Sequence, residues 1–183
     1  MPCEAPADKV RRGGGSRRRA QRQVADVACP LARAKRPPVL GEGPRHARVF
    51  LVGQAPGAEE SRTGRPFVGR SGQFLDRALA EIGLSRRDVF VTSVEKHFPP
   101  RNRPPTREEI EACKPLLLQQ LRQIDPTIVV LLGRIPAEAL RGEPVLEGRR
   151  VLATAHPAAA MRFPWIRRRF QKDLRTLKRW LRT

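Results

Sequence analysis

VFLVGQAPGAEESRTGRPFVGRSG, Val49 to Gly72, is the stretch around which the rest of the chain is arranged. Its first four residues are all apolar, as suits a strand buried on both faces, and the Gly/Pro cluster behind them turns the chain sharply at the strand's carboxyl end. In an open α/β sheet that end is where ligands bind. Two adjacent carboxylates follow, Glu59 and Glu60. Next comes an aromatic, Phe67, between Pro66 and Gly69, and then a helix starting near Ser71. A strand, a glycine-bearing loop, an acid and an aromatic outline a pocket.

Downstream, Gly72 to Ile82 has the spacing of an amphipathic helix, with Phe74, Leu75, Ala78, Leu79 and Ile82 on one side and Gly83 as its stop. VFVTSV, Val89 to Val94, is β-rich and predicts a second core strand. The prolines of Glu95 to Pro105 forbid regular structure, and this stiff, basic loop at a strand end is expected to contact a polyanion. Thr106 and Glu109 form a capping box that opens a helix to about Ile124, with Ile110, Cys113, Leu117, Leu121 and Ile124 at helical spacing. TIVVLL, Thr127 to Leu132, predicts a third strand, and Pro136 to Leu140 a short helix. RVLAT, Arg150 to Thr154, predicts a fourth strand, leading into HPAAAMR, His156 to Arg162. A last helix, from about Trp165 to Leu181, turns Ile166, Phe170, Leu174, Leu177 and Leu181 inward. Strands alternating with helices predict a three-layer αβα fold around a central four-stranded, mostly parallel sheet.

The chain of 183 residues carries 37 Lys plus Arg against 18 Asp plus Glu, a formal charge of +19. That bias favours a polyanionic partner, nucleic acid above all, and salt-sensitive binding. Residues 1–23, dominated by Arg, Gly and Ala, lack the apolar surface to offset chain entropy and predict a disordered basic arm; residues 24–183 form a single domain. Cys3, Cys29 and Cys113 are too few and scattered for a disulfide framework, and no apolar run approaches the about 18 residues that span a membrane. A monomeric, soluble, cytoplasmic protein is expected, associated with the nucleoid in a bacterium.

Taken together and in order, CPLARA (Cys29 to Ala34), the Gly41 to Gly43 turn, GQAPGAEE (Gly53 to Glu60), TGRPFVGRSGQFLDRAL (Thr63 to Leu79), VFVTSV, PPRNRPPTREEIEAC (Pro99 to Cys113), VVLLGR (Val129 to Arg134) and HPAAAMR resemble the uracil-DNA glycosylase superfamily. The likeness is closest to its family 4 and the related DNA-crosslinking branch, and it covers nearly all of Cys29 to Leu181. It implies excision of uracil from DNA by hydrolysis of the N-glycosidic bond of a flipped nucleotide, with DNA containing uracil or abasic sites as partner. The implied wedge is the loop Ala158 to Arg162, with Met161 the bulkiest side chain and Arg162 beside it; Arg101 and Arg103 are further candidates for DNA contact. Phe67 corresponds to the aromatic that stacks on the flipped base. Gly53, Gln54, Ala55 and Ser93 correspond to the rest of the base pocket. His156 matches the histidine that donates to the developing uracil oxyanion.

Departures from the pattern matter as much. The best-known branch carries a water-activating Asp where this chain has Ala55. Family 4 carries an acid where Glu60 stands, which could orient water or balance charge on the sugar, with Glu59 its neighbour and a solvated pair the alternative. Ser93 replaces the usual Asn and offers one hydroxyl in place of a carboxamide, so other deaminated bases become conceivable substrates. Family 4 also implies a [4Fe-4S] cluster, at positions matching Asp26, Cys29, His97 and Cys113; Asp26 is a hard donor for iron-sulfur, and the alternative is that the cysteines are small buried hydrophobes. The crosslinking relatives use a His on an inserted loop, and Phe98 to Pro105 contains none. With Ala55 and Ser93 in the pocket, the alternative to an enzyme is a binding protein of the same fold that retains uracil or abasic DNA with little turnover.

Overall fold

The computed structural model describes residues 29–33 and 37–183, so the basic arm and Asp26 lie outside the described residues. Four strands, β1 (Val49–Gly53), β2 (Val89–Ser93), β3 (Ile128–Leu132) and β4 (Arg150–Thr154), form one sheet in the order β2-β1-β3-β4. Every pairing between them is parallel. An antiparallel bridge, Glu42 to Val91, docks the lead-in segment on the outer edge of β2.

Alternation along β1 sorts the helices into two layers. Val49 and Leu51 face α2 (Arg70–Glu81) and α6 (Pro164–Leu181), meeting Phe74, Leu75, Leu79, Phe170, Leu174 and Leu177. Phe50 and Val52 face the opposite way, onto Leu117, Leu121 and Ile124 of α3 (Arg107–Ile124) and onto Leu140 behind the short α4 (Arg134–Ala139). The expected three-layer αβα fold is therefore present. All five residues of β1 and of β3 are buried, as parallel strands covered on both faces must be, whereas β4 is an exposed edge with only Thr154 buried.

Expected boundaries hold within two residues, and the inward residues of the α2, α3 and α6 patterns all pack as anticipated. Thr106 closes its capping box in full: its hydroxyl accepts from the Glu109 amide at 3.3 Å while Glu109 accepts from the Thr106 amide at 2.7 Å. Two segments differ from expectation. Ala58–Thr63 forms a short helix, α1, and the segment after the His-Pro pair, expected as a loop, is helical over Pro157–Arg162 as α5. Its cause is local: Pro157 occupies the first helical position, where it loses no hydrogen bond, and His156 caps the turn.

The chain reverses direction across the sheet between β1 and β3, so the crevice beyond their carboxyl ends is the place for a ligand. Among the described residues no helix is long and apolar enough to cross a membrane. Leu117→Ala, deleting a side chain with no exposed surface at the centre of the α3 face, is expected to cost about 2–5 kcal/mol in urea unfolding. Thr106→Ala is expected to cost about 1 kcal/mol by loss of the cap.

Candidate active site

Parallel pairing of β1 with β2 continues past both strands. The Val94 amide donates to Gly53 O at 2.9 Å and the Glu95 amide to Gln54 O at 3.1 Å. The GQAPG loop is thereby fixed against the end of β2, and Ser93, in register with Gly53, is buried beside it.

Phe67 fills the space that Gly53 leaves open. A Cβ at residue 53 would lie 2.4 Å from the Phe67 ring and 3.5 Å from Ser93 Oγ, so ring, glycine and hydroxyl form one wall. Holding the ring there demands an uncommon backbone: Phe67 has φ 52°. Arg86 secures it, donating to the carbonyls of Pro66 and Phe67 while its Nε binds Asp76 Oδ1 at 2.5 Å. Gly72 makes the turn possible, since a Cβ there would stand 1.8 Å from Phe67 O.

Glu60 is buried, and each of its carboxylate oxygens accepts a backbone amide: Oε2 from Gly57 at 3.1 Å and Oε1 from Gly69 at 2.8 Å. It thus ties the start of α1 to the start of α2 across the Phe67 turn. Glu59, by contrast, is exposed and paired with Arg62 at 2.8 Å.

From the other end of the sheet His156 reaches the same place, its ring centroid 6.0 Å from that of Phe67. Nδ1 of His156 accepts the Ala158 amide at 3.2 Å, which puts the ring proton of the neutral imidazole on Nε2. Burial pushes the imidazolium pKa below the ordinary value of 6.5, against the opposing pull of the nearby Glu60 charge. A neutral ring with its donor directed away from the cap is an electrophilic hydrogen-bond donor.

The structure therefore brings Gly53, Gln54, Ala55, Glu60, Phe67, Ser93 and His156 to one edge of the sheet. The candidate DNA contacts divide. Met161 and Arg162 on α5 and Arg101 in its loop are exposed, with Phe163 and Trp165 exposed just beyond α5. Arg103 is already committed, forked onto the Glu109 carboxylate at 2.6 and 2.8 Å.

The loop expected over residues 95–105 is not uniformly a surface element. Glu95, Lys96 and His97 are buried. Lys96 Nζ gives its three protons to Thr92 Oγ1 at 2.6 Å, Ser93 O at 2.6 Å and Gln120 Oε1 at 2.9 Å, anchoring the strand end to α3. Cys29, His97 and Cys113 converge as expected, but Glu95, which the sequence pattern does not single out, completes the group. No pattern signals the burial: a Glu-Lys pair next to prolines has the composition of a solvated loop. Burial, reinforced by the Glu95 carboxylate, pushes both thiols above their ordinary pKa.

Gly72→Ala is expected to cost about 3 kcal/mol, at the upper end for overpacking, because the methyl meets fixed backbone. The exposed neighbour Gln73→Ala should stay within about 0.5 kcal/mol. Chemical unfolding of both variants checks the difference.

A model of the uracil DNA glycosylase superfamily matches residues 40–178. The chain is 44% identical over 165 residues to the type-4 uracil-DNA glycosylase of Pyrobaculum aerophilum, covering 80% of this chain and 84% of that one. It is 41% identical over 149 residues to the type-4 enzyme of Thermotoga maritima, covering 74% and 78%. With the type-5 uracil-DNA glycosylase of Thermus thermophilus it shares 42% over 118 residues, covering 56% and 53%. The parallel sheet, the GQAPG loop facing Phe67, and the His-Pro turn thus occur in a chain that belongs to the uracil-DNA glycosylase superfamily.

Proposed function

We propose that this protein excises uracil from DNA by hydrolysing the N-glycosidic bond of a nucleotide flipped out of the stack. The observation that carries the reading is His156: a half-buried neutral imidazole whose Nδ1 is engaged by a backbone amide, leaving Nε2–H for a substrate oxygen beside the Phe67 ring. Relatives of similar length named for this activity support the same reading.

Cleaving the bond leaves negative charge on the departing base and positive charge on the sugar. His156 Nε2–H stabilises the first as a preorganised donor, effective because it is neutral and fixed before reaction. Phe67 offers one face to the planar base, and its position over Gly53 defines the depth of the pocket. Ser93 presents a single hydroxyl to the polar edge of the base.

Glu60 supplies negative charge for the sugar. Since each of its oxygens already accepts an amide, charge balance and the positioning of the Phe67 turn suit it better than removing a proton from water. Met161 and Arg162 on α5 act as wedge and phosphate contact, assisted by Arg101. The +19 charge favours DNA as partner and makes binding fall with salt.

The implied [4Fe-4S] group has no part in these steps. Among the described residues, the side chains assembled at the end of β2 are two cysteines, one histidine and one glutamate, and a carboxylate is a hard donor for iron-sulfur. This donor set does not fit a four-thiolate cluster.

Incubation with a uracil-containing oligonucleotide, followed by alkaline cleavage of abasic sites, is expected to give strand breaks at uracil only. His156→Ala should lower the single-turnover rate at least about 100-fold while leaving affinity for the DNA nearly unchanged. Retention of uracil DNA with no base release by the wild type would favour the reading as a binding protein, which Ala55 and the engaged Glu60 oxygens make a specific alternative.

The same histidine predicts a pH dependence. Its folded-state pKa is lowered, so the unfolded chain takes the proton first and stability falls as pH drops below about 6.5. Excision should fall on the same acid limb, with its midpoint below that value. His156→Gln should lose the histidine's share of the stability change, measured as melting temperature at pH 5 and 7.5.

A further inference from the structure

Four side chains at the end of β2 form a cluster unsuited to stand alone. Cys29, Glu95, His97 and Cys113 are 4, 0, 4 and 0% exposed. Oε1 of Glu95 lies 3.5 Å from Cys29 Sγ, 3.2 Å from Cys113 Sγ and 3.2 Å from His97 Nδ1. It also accepts the His97 amide at 2.7 Å. Thiols are weak donors, and a carboxylate carried out of water needs strong ones. The neighbouring cation, Lys96, directs its three protons to Thr92, Ser93 and Gln120.

We propose that these four residues bind one Zn²⁺ as a structural site, in place of an iron-sulfur cluster. Spacing is the first argument. A tetrahedral zinc with bonds of about 2.0–2.3 Å sets its ligand atoms about 3.3–3.8 Å apart. The three separations from Glu95 Oε1 fall at or near that range, at 3.2–3.5 Å, and all four donor atoms lie within 4.8 Å of one another.

Donor chemistry is the second argument. Two sulfurs, one imidazole nitrogen and one carboxylate oxygen form a set that zinc accepts, while a hard carboxylate is a poor partner for an iron-sulfur core. Charge is the third. Two thiolates and a carboxylate would bring negative charge into a buried group, and a divalent ion offsets most of it once both thiol protons leave on binding.

Four protein ligands close the shell, which makes the ion a staple and not a reagent. It would join the Pro30–Arg33 turn, the end of β2 and the middle of α3. The proposal concerns stability and composition alone, so its failure leaves the glycosylase reading intact.

The test uses the full chain, expressed with both iron and zinc supplied and purified without oxygen. Elemental analysis is expected to give about one zinc per chain, with no labile sulfide. Exchange with Co²⁺ should give the visible bands of a tetrahedral thiolate-bound ion. Chelator competition should show Glu95→Ala weakening zinc at least about tenfold and Cys113→Ser abolishing stoichiometric zinc, with Asp26→Ala unchanged.

Iron with matching labile sulfide overturns the proposal. So does a folded, metal-free chain whose melting temperature does not rise on adding zinc, or loss of zinc in Asp26→Ala but not in Glu95→Ala. Should the cysteine variant fail to fold, the metal and sulfide content of the wild type decides alone.

Discussion

Two backbone hydrogen bonds at the carboxyl ends of β1 and β2, Val94 to Gly53 and Glu95 to Gln54, support most of the candidate site. Sheet pairing usually stops where a turn begins, but here the ladder runs on into both loops. The GQAPG turn consequently cannot shift against Ser93. The same pairing holds Glu95, Lys96 and His97 beneath the surface, so the candidate pocket and the buried Cys/His/Glu group share one scaffold.

Around Phe67 the structure accepts local strain for placement. Its positive φ is unfavourable for an aromatic residue. Arg86 on the carbonyl side, Glu60 spanning Gly57 and Gly69, and the missing side chains of Gly53 and Gly72 jointly leave the ring one position. Such over-determination is costly in sequence freedom. It is the kind of cost that holds a ring rigidly in one orientation.

Glu60 shows how a single residue can read differently in sequence and in space. Beside Glu59 it has the look of a solvated pair at a helix start, and the likeness to family 4 lends it a chemical role. In the fold the pair separates. Glu59 turns out to Arg62, while Glu60 turns in and accepts two amides twelve residues apart, Gly57 behind it and Gly69 ahead. A carboxylate held this way gives shape to the pocket.

What the sequence by itself determined was the architecture and the family. Apolar runs at Val49, Val89 and Ile128, helical spacing in α2, α3 and α6, and the Gly-Gln-Ala-Pro-Gly and His-Pro signatures are local patterns whose physical cause lies within a few residues. They put Phe67 and His156 in segments that follow strands, and Ser93 at a strand end, all toward the carboxyl edge of a parallel sheet. Tertiary structure alone decided the rest: the inward turn of Glu60, the commitment of Arg103 to Glu109, the three oxygens around Lys96, and Glu95 as the fourth member of the cysteine-histidine group. Lys96 and Glu95 depend on partners far away in the chain, Gln120 and Cys29, while Glu60 and Arg103 find theirs within nine residues but only once the loops are folded; a polar side chain carries no mark in its own neighbourhood of whether water or another residue will satisfy it.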